Sequence, residues 1–163
     1  MRMNGSWKQW HQEQIRIYRE EEYAAYDMYA AAFQKMLHRA TRDHAPLAIV
    51  QTRPKTLSSF AEKALRKQHK YDDPARQLTD LCGARVITIT EAQMTAMSEF
   101  IKEHFIIDEA NSLDVSTRLR TSEFGYRSVH YVVQLKPADP FLKQLIVDGE
   151  LPAGVIETVG QRK

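Results

Sequence analysis

The run "EFGYRSVHYVV", residues 123–133, alternates like a β-strand, and the alternation sorts its chemistry. Successive strand side chains point to opposite faces, so Tyr126, Ser128 and His130 share one face and Val129, Tyr131 and Val133 the other. The apolar face needs only a core to pack on. A face carrying a phenol, a hydroxyl and an imidazole, entered through Gly125, is suited to touching a ligand. Taken alone, a half-buried strand with ordinary polar residues outside is the plainer reading. A second group lies upstream. Ser59 and Lys63 are spaced i,i+4 on a predicted helix, with Arg66 and Lys67 a turn further along, while Arg53 and Lys55 share one side of the strand leading into it. A strand feeding a helix start, with cations and a hydroxyl converging, can hold a triphosphate, because helix N-terminal amides and ammonium groups both face the anion. It is not a P-loop, since no G-x-x-x-x-G-K-[ST] occurs. The third group is "TDLCGAR": Asp80 at the mouth of an apolar strand, and Arg85 further along it. One carboxylate at a strand end can hold a magnesium ion, which takes one or two carboxylates plus substrate phosphates. Singly, these features have bland alternatives: a solvated basic helix, a turn cap for Asp80, a surface ion pair for Arg85.

The elements that must position these groups follow from periodicity. From about Trp7 to Arg42 the chain reads as one long helix or two in tandem, with Ile15, Tyr18, Glu22, Tyr26, Tyr29, Phe33 and Leu37 at three- and four-residue steps and no Pro or Gly between them. The tyrosines are expected to be core residues. "HAPLAIVQTRPKT" is extended, placing Leu47, Ile49, Gln51, Arg53 and Lys55 on one face, and Pro54 favours extended backbone at Arg53. Residues 57–70 are helical, "DDPAR" caps a short helix over Ala75–Thr79, and "LCGARVITIT" (81–90) is the clearest strand. A helix over 91–104, a short strand at "FIIDEA", a polar loop over 111–123, the strand through 133 and onward to Pro137, a short helical stretch within "ADPFLKQLIVDGELPAG" and a last strand at "VIETV" complete the chain. Interleaved helices and strands imply an α+β protein with a mixed sheet covered by helices.

Composition sets the frame. A chain of 163 residues, 43% hydrophobic and 27% charged, suits one soluble domain with a real core. Its net charge of +2 is too small for wholesale nucleic-acid binding. Charge is uneven, however: seven Lys/Arg stand against three acids between Arg53 and Arg76, a local patch that a phosphorylated molecule could use. The start lacks the apolar core of a signal peptide, no run has the length of a membrane span, and the lone Cys82 lies in an apolar stretch. A buried thiol and a cytoplasmic protein without membrane contact are expected.

In order and spacing, "TRPKTLSSFAEK", "LTDLCGARVI" and "FGYRSVHYVV" resemble the synthetase domain of the RelA/SpoT family, the (p)ppGpp synthetases. That domain carries G-R-x-K…S-x-x-x-K, D-x-x-G-x-R and G-Y-x-S-x-H segments, and the likeness spans roughly Val50 to Leu135. The form "EFGYRSVH" is similar to small or multidomain relatives. The resemblance implies a nucleotidyltransferase-like mixed sheet flanked by helices, and a pyrophosphokinase that moves the β,γ-diphosphate of ATP to the 3′-hydroxyl of GDP or GTP. Carried over by motif, Arg53 and Arg85 flank the adenine, and Lys55, Ser59 and Lys63 hold the ATP phosphates. Asp80 binds Mg2+, and the catalytic set is Asp80, Lys63 and His130. Gly125, Tyr126, Ser128, His130 and Arg120 form the acceptor shelf, with Tyr126 stacked on the guanine.

The chain departs from the pattern in two places. Many members carry a lysine three residues before the glycine of G-Y-x-S-x-H; here Ser122 stands there, with Arg118, Arg120 and Arg127 as nearby cations. That change fits an alternative acceptor, the 3′ end of tRNA or an adenosine nucleotide, as in toxin-type relatives. The family's E-x-Q-x-R-T segment is also missing: the chain reads "VIETVGQRK", with Glu157 the nearest acid and Gly160 a hairpin signal. The sequence is therefore expected to be the N-terminal part of a longer protein or a truncation, with an incomplete catalytic set and an open sheet edge that invites a homo-oligomer. A non-catalytic nucleotide-binding module is the third reading. No His-Asp pair occurs, so (p)ppGpp hydrolysis is not expected.

Overall fold

The apolar stripe of the first forty residues becomes the central brace of the fold. In the computed structural model, which describes residues 6–114 and 128–163, it runs through helix α1 (Ser6–Ile17), a π-helical turn (Tyr18–Glu22) and helix α2 (Tyr23–His44). Tyr18, Tyr26, Tyr29, Phe33, Met36 and Leu37 are all buried, as the three- and four-residue spacing requires of a core-facing side. They are core residues, not a ligand stack, and their rings pack on one another: Tyr29 stacks on Phe33 at 4.4 Å, and Phe33 on Phe105 at 5.3 Å.

Strand β1 (Ile49–Pro54) pairs antiparallel with strand β2 (Cys82–Ile87) in the register Ile49↔Ile87, Gln51↔Arg85 and Arg53↔Gly83. The predicted alternation is observed. Val50 faces the core, whereas Ile49, Gln51 and Arg53 are exposed. Between the strands lie helix α3 (Leu57–Arg66) and the short helix α4 (Pro74–Gln77), the latter started by Pro74 at its first turn. Helix α5 (Glu91–His104) has the predicted bounds. Thr90 caps it, accepting from the Gln93 amide at 3.2 Å while the Gln93 side chain accepts from the Thr90 amide.

The second half supplies short strands. β3 (Phe105–Ile107) pairs with β6 (Val133–Leu135), and β4 (Leu113–Asp114) with β5 (Val129–His130), both antiparallel. The α+β class is observed. Among the described residues the strands form three separate two-stranded ladders, where one mixed sheet was expected. The strand expected through residue 133 is also divided. Val132 donates its amide to the Ser112 hydroxyl at 2.9 Å and its carbonyl accepts from Asp108 N–H, so Tyr131 and Val132 leave one ladder and the chain joins another.

Helix α6 (Pro140–Val147) and helix α7 (Val155–Val159) close the core. "VIETV" is thus a helix, not the predicted strand. Its β-branched residues favour a strand locally, but Val155 and Val159 are i,i+4 and both fully buried against α2, so packing overrides propensity. Gly160, expected at a hairpin, instead terminates this helix at a φ of 56°, with its amide bonded to the Ile156 carbonyl. No helix of the described residues is long and apolar enough to cross a membrane. Because α5 supplies Met97 to the floor of the cleft described below, its cap is a measurable support. Thr90→Ala is expected to lower unfolding stability by about 1 kcal/mol in urea titrations, and an unchanged midpoint would show that the cap contributes nothing.

Candidate functional site

The β1–β2 register builds the site. It carries the chain past Pro54 so that Lys55 donates its amide to the Leu81 carbonyl at 2.8 Å, immediately beside Asp80. Helix α3 begins two residues later. Thr56 caps it by accepting from the Ser59 amide, and the Thr56 hydroxyl donates to the Ser59 hydroxyl at 2.9 Å. One turn on, Lys63 points back to the same place. Lys55 Nζ and Lys63 Nζ both donate to one oxygen of Asp80, Oδ2, at 3.1 and 2.6 Å. Three residues from three segments thus meet at one atom.

The lysine side chains are 19% and 24% exposed and Asp80 is 45% exposed, so the cations emerge from the protein and the carboxylate sits toward solvent. Burial works against the charged form of Asp80, but the hydrogen bonds from Lys63 and Lys55 and their positive charge outweigh it. The carboxyl is held below the usual aspartate range.

The guanidinium pair is on one face. Arg53 lies opposite Gly83, and Arg85 lies two residues further along β2 on the same exposed side. Gly83 leaves the space across from Arg53 bare, and a Cβ there would meet nothing nearer than the Arg53 carbonyl at 4.0 Å. A flat ring could lie there between two guanidinium planes. Ser59 is exposed and occupied with the helix cap, so its hydroxyl is beside the lysines rather than among them.

A cleft of about 420 Å3 runs along the edge of β2 that β1 does not cover. Residues 84–88 form one wall and residues 128–133 the other, over a floor that includes Phe33, Leu37 and Met97. Ser128 and His130 share a face, as their spacing predicts, and the Ser128 hydroxyl lies 3.2 Å from His130 Nε2. Arg85 and His130 therefore border one cleft. Gly125, Tyr126, Arg120, Arg118, Arg127 and Ser122 lie outside the described residues. Cys82 is half-buried at the same cleft; burial, with the Asp27 charge nearby, pushes its thiol up to about 12, which makes it a protonated wall residue and not a nucleophile.

The donor set constrains any metal. Among the described residues no three His, Cys, Asp or Glu side chains cluster, and Asp80 is the single carboxylate at the lysines. Such a set fits a magnesium ion that brings most of its ligands with it, as phosphate oxygens and water, and does not fit a resident metal centre. Sequence reasoning missed one contributor to this geometry and one buried ion pair of the same helical run. Tyr18 donates its hydroxyl to the Lys55 carbonyl at 2.6 Å, and buried Glu22 accepts from Arg162 Nε at 2.8 Å. Their only signal was membership of the helical stripe, where a glutamate among tyrosines calls for a buried partner.

A pH dependence follows with a definite sign. Because Asp80 has a lowered carboxyl pKa in the folded state, its contribution to stability is present above the ordinary aspartate value of about 3.9 and is lost as pH falls through the folded value. Asp80→Asn is expected to unfold at lower denaturant than the parent near neutral pH, with the gap closing only as pH falls below the ordinary aspartate value. A gap of constant size across that range would show that the lysine contacts do not stabilise the ionised form.

Comparison with known proteins gives the chain a family. A family model described as the region found in RelA / SpoT proteins matches residues 52–145, more than half of the chain and the stretch that holds the end of β1, α3, Asp80, β2 and the Ser128–His130 face. No curated protein and no solved structure matches it. The match supports a pyrophosphokinase-like domain in general, and the chain belongs to the RelA/SpoT family.

Proposed function

We propose that the chain is a synthetase-type domain that transfers the β,γ-diphosphate of ATP to the 3′-hydroxyl of GDP or GTP. The observation that carries this reading is the meeting of Lys55 and Lys63 on one oxygen of Asp80, inside the family-matched region. Two ammonium groups held that close form a seat for a polyanion, and a polyphosphate competes with a single exposed carboxylate for it.

Each residue then has a task. Arg53 and Arg85 take the two sides of the adenine over the bare position of Gly83, and Ser59 adds a hydroxyl at the start of α3. Lys55 and Lys63 leave Asp80 for the donor phosphates. Asp80, so released, would hold Mg2+ carried by those phosphates, which neutralises charge on the transferred group. The acceptor's 3′-oxygen forms a bond to the β-phosphorus while the bond from that phosphorus to the α,β-bridging oxygen breaks. AMP departs with that oxygen, and the hydroxyl proton is released. Lys63 stabilises charge gathering on the phosphoryl oxygens, and His130, beside Ser128, faces the acceptor or the moving phosphates. Gly125, Tyr126 and Arg120 complete the acceptor shelf in this reading, with Tyr126 on the guanine.

Ser122, standing where many family members have a lysine, favours a second reading with the same donor site and a tRNA 3′ end or adenosine nucleotide as acceptor. The test supplies the chain with magnesium, ATP labelled in the γ-phosphate, and GDP, GTP or bulk tRNA in separate reactions. Label in a guanosine nucleotide is expected, and Lys63→Met should reduce it on the order of 100-fold. Label in tRNA alone would transfer the protein to the second reading. ATP binding without transfer to any acceptor would make it a nucleotide-binding module.

A further inference from the structure

The helical run from Ser6 to His44 is regular except at one place, the π-turn at Tyr18–Glu22, where Tyr23 N–H bonds to the Tyr18 carbonyl five residues back. Such turns inside α-helices often mark functional positions. Here both ends of the turn are buried and spoken for. Glu22 is held by Arg162 and Arg76. Tyr18 has no solvent exposure, and it touches both segments that carry the lysines. Its hydroxyl donates to the Lys55 carbonyl at 2.6 Å, and its ring stacks on Phe60 of α3 at 4.3 Å and 19°.

The two contacts are complementary. The Lys55 amide is fixed to Leu81, next to Asp80, and the Lys55 carbonyl is fixed to Tyr18, so the backbone of this residue is held from both sides just where it leaves β1. Phe60 follows Ser59 and precedes Lys63 by three residues, so a ring clamped on Phe60 sets how α3 rolls and where Lys63 points. Burial pushes the Tyr18 phenol well above its ordinary value, which keeps the hydroxyl a donor throughout the neutral range.

We propose that Tyr18 is the positioning residue of the lysine pair: one buried side chain in the π-turn fixes the backbone of Lys55 and the roll of the Lys63 helix, so that both ammonium groups converge on one point. The placement follows from these contacts alone, while its consequence for nucleotide rests on the donor-site reading above.

The test measures lysine geometry without relying on turnover. The purified chain is treated with a limiting amine-acylating reagent, and mass spectrometry gives the labelling rate at Lys55 and Lys63 relative to exposed Lys143. Tyr18→Phe keeps the ring and deletes the donor; labelling of Lys55 is expected to rise roughly fivefold relative to Lys143. Phe60→Leu removes the stack and leaves the hydroxyl's bond, so Lys63 labelling should rise and Lys55 labelling should not; this variant decides the matter if Tyr18→Phe does not accumulate. Lower thermal stability with unchanged relative labelling would make Tyr18 an ordinary core residue and overturn the proposal. In parallel, calorimetry with a non-hydrolysable ATP analogue and magnesium should show binding weakened roughly fivefold by Tyr18→Phe. If the parent chain binds no analogue, the donor-site reading fails, and the labelling still decides the role of Tyr18.

Discussion

The register of β1 against β2 is the constraint on which the rest depends. A slip of one residue would send Arg53 and Gln51 to the core side and Val50 to solvent, because strand side chains alternate. It would also separate Lys55 from Leu81 and hence from Asp80. A two-stranded ladder is marginal by itself, so the register must be fixed from outside. The fixing comes from α2, which packs on both strands and whose Phe33, Met36 and Leu37 share one apolar core with Val50 and Val86. Gln34 adds a polar point to that contact, accepting from the Thr52 hydroxyl at 2.9 Å. The chemistry on the outer face is therefore set by apolar packing on the inner one.

Two ammonium groups on a single carboxylate oxygen leave the cluster with an excess of positive charge before any ligand arrives. Folding holds the lysines together at the cost of their mutual repulsion, and Asp80 offsets much of it. The carboxylate is the most exposed of the three and is bonded through one oxygen, so it is the member a ligand can displace with least disturbance. A polyphosphate brings several oxygens to the same lysines, and on the proposed reading Asp80 then turns from a lysine partner into a metal ligand. On that reading the carboxylate of the resting cluster holds the place of the phosphate charge.

Much of this was legible in the sequence because it depends on local periodicity. The buried stripe of α2, the bounds of α5 and the in–out order of β1 all follow from spacing, and the family resemblance rests on residues that the structure does bring together, namely Lys55, Lys63 and Asp80. What was not legible depends on distant partners. Nothing local tells "VIETV" that its two outer valines will dock on α2, so its β-branched composition pointed to a strand. Nothing near Val132 announces that Ser112 will take its amide and divide the strand. The π-turn has no Pro or Gly to betray it, and the hydrogen bond of Tyr18 spans 37 residues. Local rules failed here where a side chain packed on a remote element or bonded a remote backbone group.

That pattern explains how one helical run can serve both walls of the site. Tyr18 donates to the Lys55 carbonyl on the β1 side, and Tyr29 donates to the Val133 carbonyl at 2.9 Å where the chain leaves the Ser128–His130 face. Each carbonyl lies where a strand ends or changes ladder, a place where backbone groups lose their regular partners and would otherwise be left unpaired in the core. A phenol suits this task, since its ring fills the core while its hydroxyl supplies the missing donor. The same two bonds thereby tie the lysine segment and the chain that follows the Ser128–His130 face to one helical run. For the proposed transfer, which consists mostly of bringing donor and acceptor into line, a common brace for both segments is what the chemistry would require of the fold.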